Sequence, residues 1–335
     1  MNYLGIDLHK RESQVAVVDQ DGEIDREVRV ENANLDTLAE EYAGSEAAIE
    51  ATGNYFTVYD TLDEHLDVAL VNPLKTRWIA EADQKTDRVD AKKLAQLLRV
   101  DMVAESYVPP DELRKGRALA RGRKKFVEKR TDCKNEVHAI LDQNGITHEG
   151  SLWTDEGREF LGELALEEPA QLLLDQWLEL IDDYNEKITR LDRKIERVAA
   201  SHEETQLLMT VPGISSFSGL MIHTEINEVE RFDQANQVVS YAGLDPVVRE
   251  SGDSRTEGSI NKQGNDYLRW ILVQCANTAV HNAKDPYLSE FDWRLREKKN
   301  KPHKVAIVAT ARKLLVSIYH MLTREEVYDP PGVSS

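Results

Sequence analysis

Four carboxylates occupy positions from which a chain can do chemistry. Asp7 and Glu50 each end a short apolar run, and Asp87 and Asp90 stand three apart at the head of KTDRVDAKKLAQL, residues 85–97. At helical periodicity Asp87 and Asp90 lie one turn apart on one face, ahead of Leu94, Leu97 and Leu98. Taken alone, such a pair only complements a helix dipole. Joined by two strand-end acids, it describes a convergent cluster. Four carboxylates brought together without counter-ions oppose one another's ionisation, and a divalent cation removes that cost. An oxygen-only donor set selects a hard ion, Mg²⁺ or Mn²⁺. Sites of this type activate an attacking oxygen and stabilise a leaving one in phosphodiester chemistry. His9, two residues beyond Asp7, is a helper or a bystander by the same reading.

The elements that must carry these acids follow in chain order. Residues 3–7 form a short buried strand ending on Asp7, and residues 13–18 (SQVAVV) a second. Asp19-Gln20-Asp21-Gly22 is a hairpin turn, and residues 23–30 alternate as a third strand. A helix is expected over 35–42, a strand over 47–51 carrying Glu50, a further helix, and a fifth strand over 68–71 stopped by Asn72-Pro73. A short helix then precedes the Asp87 helix. Three antiparallel strands followed by alternating helix and strand is the order of a ribonuclease-H-like (RuvC-like) α/β fold.

Beyond Pro109-Pro110 the pattern is helical. Residues 113–141 predict a long basic helix, with nine Lys or Arg between Arg114 and Arg130 against one acid, Glu128. From Leu174, apolar residues recur at Trp177, Ile181, Tyr184, Ile188, Leu191, Ile195 and Val198, a signal for a coiled coil, an antiparallel helix hairpin, or a helix packed within its own chain. In TVPGIS, residues 210–215, Pro-Gly between helical runs resembles a helix-hairpin-helix turn that can hold a phosphate, although an ordinary helix turn has the same signature. Helices are expected over 232–242, 267–279 and 304–322, a Ser- and Gly-rich loop over 250–264, and a loose tail at the end. The expected organisation is residues 1–108 catalytic, 109–204 basic helix and coiled coil, 205–328 a mostly α-helical domain, and 329–335 tail.

The chain has 335 residues and a net charge of -19. That acidity argues against a uniform phosphate-binding surface and is compatible with a high-salt habitat; the basic block is where a nucleic acid would bind. Two cysteines, Cys133 and Cys275, are too few for a disulfide framework. No leader follows Met1, and Arg312 and Lys313 interrupt the apolar segment 305–322. A cytoplasmic protein with no membrane partner is the expectation.

GIDLHK at Gly5, IEATGNY at Ile49, NP at Asn72 and KTDRVDAKKLA at Lys85 are followed by TVPGIS at Thr210, YAGLDP and SG within residues 241–252, and GNDYLRWIL at Gly264. In this order and spacing they resemble the DEDD transposases of the insertion-sequence family one-ten, the bridge-RNA-guided recombinases, from Tyr3 to about Leu322. The resemblance implies that Asp7, Glu50, Asp87 and Asp90 hold the metal of a RuvC-like domain. It implies that a serine in the second domain, at the position of Ser251, attacks DNA to form a phosphoserine ester; Ser254 and Ser259 are close enough to leave that assignment open. Arg249, Arg255, Lys262 and Arg269 would clamp the phosphate. Arg114, Lys115, Arg117, Arg121, Arg123, Lys124, Lys125, Lys129 and Arg130 would track the backbone. It further implies DNA (element ends and target) as partner, a structured guide RNA, and a homo-oligomer in which one subunit's carboxylates meet another's serine domain, with the 174–198 heptads as a dimer contact. Three rivals stand beside it: a RuvC-like nuclease that only hydrolyses, a domesticated DNA-binding protein without turnover, and an actin-like-fold kinase, whose phosphate loop wants small residues where this chain has Leu8-His9-Lys10.

Overall fold

The computed structural model describes residues 1–50, 55–72, 87–251, 254–260 and 264–330, without the side chains of 87–88 and 246–259. The expected short helix after Asn72, the Thr52-Gly53-Asn54 turn, Lys85, Gly252, Lys262 and the end of the tail lie outside the described residues. The chain divides into two compact units, Met1–Val108 and Pro109–Ser335.

In the first unit, β1 (Tyr3–Leu8), β2 (Glu12–Val18) and β3 (Ile24–Glu31) precede α1 (Leu35–Glu41), β4 (Glu46–Glu50), α2 (Tyr55–Asp63), β5 (Asp67–Val71) and α3 (Asp87–Arg99). The five strands form one sheet in the order β3-β2-β1-β4-β5. The first three pair antiparallel, whereas β1–β4 and β4–β5 are parallel. The β2–β3 turn is held by the Asp19 carboxylate, which accepts from the backbone N–H groups of Asp21 and Glu23 at 2.9 Å each. Gly22 supplies the positive φ, +88°, that a side chain would resist.

Strand alternation sorts the two faces of this sheet. Leu4, Ile6, Leu8, Val15, Val17 and Ile49 pack with Leu35, Leu38, Val58 and Leu62 of α1 and α2. On the opposite face, Ala48, Ala69 and Val71 pack with Leu94 and Leu98 of α3. Gly5 is what lets α3 lie on β1: a Cβ there would come within 2.0 Å of the Ala91 carbonyl oxygen and 2.4 Å of the Ala95 nitrogen. Because those obstacles are backbone, no side-chain rearrangement relieves them. The direction of α3 is fixed at its far end, where Gln96 donates to the Gly22 carbonyl at 2.7 Å. That turn adjoins the start of β1, since Tyr3 pairs with Val18. The head of α3 therefore faces the end of β1.

The second unit contains α4 (Asp111–Gln143), α5 (Asp155–Glu163), α6 (Ala170–Ala199), α7 (Glu203–Leu208), α8 (Ser216–Ile226) and α9 (Ala235–Tyr241). A two-stranded ribbon, β6 (Pro246–Ser251) and β7 (Ser254–Ile260), leads to α10 (Asp266–His281), α11 (Pro286–Trp293) and α12 (His303–Arg324). Leu174, Ile181, Ile188 and Ile195 of α6 are buried at seven-residue spacing. Leu174 and Ile181 cluster with Cys133, Val137, Ile140 and Leu141 near the end of α4. Ile195 instead meets Leu119 near its beginning. The heptads thus form an antiparallel hairpin inside one chain, and the seam expected to serve a dimer is occupied by α4.

Two local expectations change. The helix expected from Phe232 begins at Ala235; Phe232 is extended, and the next N–H, of Asp233, is accepted by the Gln237 side chain at 2.8 Å. The segment expected as a loop over 250–264 is mostly strand. The Thr210–Ser215 turn behaves as an ordinary helix connection. Gly213, at φ +94°, is pressed against α10, where a Cβ would meet the Ala279 nitrogen at 2.8 Å, and Val211 and Ile214 are buried. Among the described residues α12 alone is long and apolar enough to cross a membrane, yet Ile307, Leu314, Leu315 and Ile318 sit in the core of this unit.

Candidate active site and nucleic-acid interface

Asp7 and Glu50 come from neighbouring parallel strands. Ile6 stands opposite Ile49 in the register, which puts the next residue of each strand, Asp7 and Glu50, side by side at the same end. Both belong to the set that alternates away from Ile6 and Ile49, hence to the face that α3 covers. Asp90 immediately precedes Ala91, the residue packed on Gly5, at the α3 end directed toward Asp7. The structure therefore brings Asp7, Glu50 and Asp90 to one corner of the sheet. Asp87 is the first residue of α3, one turn from Asp90, and its side chain is outside the description. Asp7 is largely shielded, at 16 % side-chain exposure, and the His9 Nε2 lies 3.4 Å from its Oδ2. Among these positions the donors are all carboxylate oxygens, the set that a hard divalent ion takes.

The serine position is built differently. Ser251 ends β6 and pairs with Ser254, the first residue of β7, while Arg249 pairs with Thr256 and Glu250 with Arg255. Ser251 and Ser254 are thus at the tip of the ribbon. Ser259 is next to Ile260, which pairs with Pro246 at the base. The base is clamped where the two flanking motifs touch. A Cβ on Gly264 would lie 2.6 Å from the Gly243 nitrogen and 2.8 Å from the Tyr241 carbonyl oxygen. The Asn265 N–H donates to that same carbonyl at 2.8 Å. Arg269 of α10 donates to the Ala242 carbonyl at 3.0 Å and pairs with Asp266.

Residues 4–145 match a family profile described as a DEDD transposase, and residues 205–292 match the transposase IS116/IS110/IS902 family. The chain belongs to the IS110 family of transposases. It is 24% identical to the transposase for insertion sequence element IS1111A of Coxiella burnetii, over 97% of this chain and 90% of that protein. It is 26% identical to the pilin gene-inverting protein of Moraxella bovis, over 84% of this chain and 81% of the relative. The transposase for IS1328 of Yersinia enterocolitica is 24% identical over 78% of each chain. The protein is accordingly an enzyme of DNA transposition and recombination.

In this transposase the basic helix α4 has two faces. Arg121 donates to both oxygens of the fully buried Glu225, at 2.6 and 2.7 Å. Its guanidinium also stacks 4.3 Å from the Tyr267 ring centroid. Burial opposes the Arg121 charge, but Glu225 outweighs it and raises the guanidinium above its ordinary pKa. Arg117 donates to the Thr224 carbonyl at 2.8 Å, and Arg123 makes a two-pronged pair with Asp192 at 2.9 and 3.3 Å. Lys124 pairs with Glu128 and lies over Trp270, and Arg130 donates to Asn185 at 2.8 Å. Arg114 is only 11% exposed. Arg121, Arg123, Lys124 and Arg130 tie α4 to side chains far away in sequence, and Arg117 ties it to a distant backbone carbonyl, which composition alone does not reveal. The outward positions are Lys115, Lys125 and Lys129, of which Lys115 and Lys129 pair within the helix to Asp111 and Asp132.

Proposed function

We propose that the Asp7–Glu50–Asp90 corner, with Asp87, is the divalent-metal centre of a ribonuclease-H-like, RuvC-like domain. In this reading Ser251 is the nucleophile of an RNA-guided strand exchange. The observation that carries the reading is the register: Asp7 and Glu50 stand side by side on the sheet face that α3 covers, at the end from which Asp90 approaches. The strand order β3-β2-β1-β4-β5, with its antiparallel and parallel halves, supports the fold assignment. A bound Mg²⁺ or Mn²⁺ ion supplies Lewis-acid stabilisation of phosphate oxygens. The carboxylates hold it, and His9 orients Asp7. The Ser251 hydroxyl forms an oxygen–phosphorus bond as the bond to the leaving deoxyribose oxygen breaks; the seryl proton passes to a base, and the leaving oxygen ends as a hydroxyl. Attack by another strand's hydroxyl on the phosphoserine ester restores the serine, so bond energy is conserved through both steps. The active unit is a homo-oligomer, with a structured RNA choosing the element ends and target by base pairing.

A suicide substrate tests this, nicked so that the released strand diffuses away, with Mg²⁺ and the element's RNA present. Wild-type protein yields a protein–DNA band that survives denaturant. Ser251→Ala yields neither the band nor exchange, whereas Ser259→Ala, at the base of the ribbon, retains both. Ser254→Ala, at the tip, also retains both; loss of the adduct there with Ser251→Ala still forming it would move the nucleophile across the ribbon. Cutting by Ser251→Ala, with no adduct from wild type, would establish a hydrolase instead.

The α4 surface predicts a second result. Substituting Lys115, Lys125 and Lys129 together by Gln flattens the log–log salt dependence of DNA binding by about two to three, at roughly 0.7–0.9 per lost phosphate contact. Thermal stability stays near wild type, because exposed pairs contribute little. An unchanged slope would place the DNA on another surface.

A further inference from the structure

Away from the carboxylate corner, the second unit gathers two imidazoles and a carboxylate that nothing in the transposition chemistry employs. His202 caps α7, Glu204 lies in its first turn, and His223 comes from α8. Their ligand atoms all fall within 4.8 Å of one another. The His223 Nε2 is 3.9 Å from the Glu204 carboxylate, and the His202 Nε2 is 3.7 Å from the Glu112 carboxylate at the head of α4. Those distances are too long for hydrogen bonds. They are close to the roughly 3.3 Å separating neighbouring ligands of a tetrahedral ion with bonds of about 2.0–2.1 Å.

Three observations favour an ion over a chance gathering. The His202 Nε2 is buried and has no hydrogen-bond partner, an arrangement that is costly unless something accepts its lone pair or its proton. The other nitrogen of His223, Nδ1, lies 2.9 Å from the Oγ1 of the fully buried Thr205. With Nδ1–H donating to Thr205, the Nε2 lone pair is directed at the cluster, the outer-shell arrangement that orients metal-binding histidines. Glu204 and Glu112 are 57% and 76% exposed, which gives an ion a route in from solvent.

We propose that His202, Glu204 and His223 form a binding site for a zinc-type transition-metal ion, with Glu112 closing the fourth corner. Mixed imidazole and carboxylate donors suit such an ion better than Mg²⁺. With four protein ligands the site is structural. It ties the start of α4 to α7 and α8, the helix that also carries Glu225.

The test uses full-length protein stripped with chelator, with excess Mg²⁺ present to occupy all-oxygen sites. Wild type binds one equivalent of Zn²⁺ in competition with a chromogenic chelator and melts higher with Zn²⁺ than without. Co²⁺ in its place gives the intense visible bands of a four-coordinate nitrogen-containing site. Glu204→Gln, at an exposed position that keeps the fold, and His202→Gln each lose the equivalent, the melting shift and the bands. Thr205→Val keeps the bands but weakens binding about ten- to a hundredfold. His65→Gln alters nothing, although His65, Asp36 and Glu64 form the other His/acid group among the described residues. Absence of Zn²⁺ binding by wild type, or undiminished binding by His202→Gln and Glu204→Gln, would overturn the proposal, as would loss of the equivalent in His65→Gln.

Discussion

Asp7→Asn and Asp90→Asn each lower strand exchange by about a thousandfold or more, the scale on which enzymes lose rate when a charge-stabilising group at the reacting centre is removed. DNA binding changes little, since neither residue is among the cations that neutralise phosphates. Stability separates this outcome from simple misfolding. In the proposed metal centre Asp7, Glu50 and Asp90 repel one another when chelator removes the ion, and removing one charge relieves that repulsion. Each variant therefore melts no lower than wild type without metal. Wild type gains melting temperature on adding Mg²⁺, as any ligand that binds only the folded state requires, and the variants lose that gain. The measurements are exchange assays with DNA ends and RNA, mobility shifts, and calorimetry with and without Mg²⁺. If both variants kept Mg²⁺-dependent exchange, the metal assignment would be withdrawn.

This corner was legible in the sequence because each part of it has a local signature. Leu4, Ile6 and Leu8 alternate with Tyr3, Gly5 and Asp7, which predicts both a strand and the face of its acid. The Leu94, Leu97, Leu98 spacing predicts the helix and its acid pair. What the sequence did not reveal was the role of Gly5, since a glycine in a strand signals close backbone approach without naming the partner. The serine ribbon was missed for a different reason. Its strands, PVVRES and SRTEGSI, carry too few apolar residues for the period-two signal. Gly252-Asp253, two residues between the paired Ser251 and Ser254, is nevertheless a hairpin signature. The basic block was legible as charge but not as architecture. Its cations meet Glu225 and Asp192 across 104 and 69 residues, a separation at which no local pattern survives. The same holds for His202 and His223, each unremarkable alone.

Arg121→Met destabilises the second unit by about 3–5 kcal/mol, because it leaves the Glu225 carboxylate buried without its two-pronged partner. For a unit of this size that corresponds to a melting temperature lower by roughly 10 °C. Glu225 is fully buried, with Arg117 3.7 Å away and the Asn265 amide donating at 2.8 Å, and these cannot replace two charge-assisted hydrogen bonds. The double variant Arg121→Met, Glu225→Leu recovers more than half of the loss, since removing both charges also removes their desolvation penalty. Arg117 keeps the Thr224 carbonyl in that variant, and Asn265 keeps the Tyr241 hydroxyl at 3.1 Å. Asn265 gives the pair its bearing on activity, because its backbone holds the base of the Ser251 ribbon through the Tyr241 carbonyl. The single variant should therefore lose strand exchange even at temperatures where it remains folded, and the double variant should regain stability ahead of activity. A phosphate-contacting Arg121 behaves in the opposite way: the single substitution leaves melting within about 1 kcal/mol of wild type and lowers the salt slope of DNA binding by nearly one. Calorimetry of the two variants beside a salt titration of the single one decides between an arginine that holds the helices together and one that holds DNA.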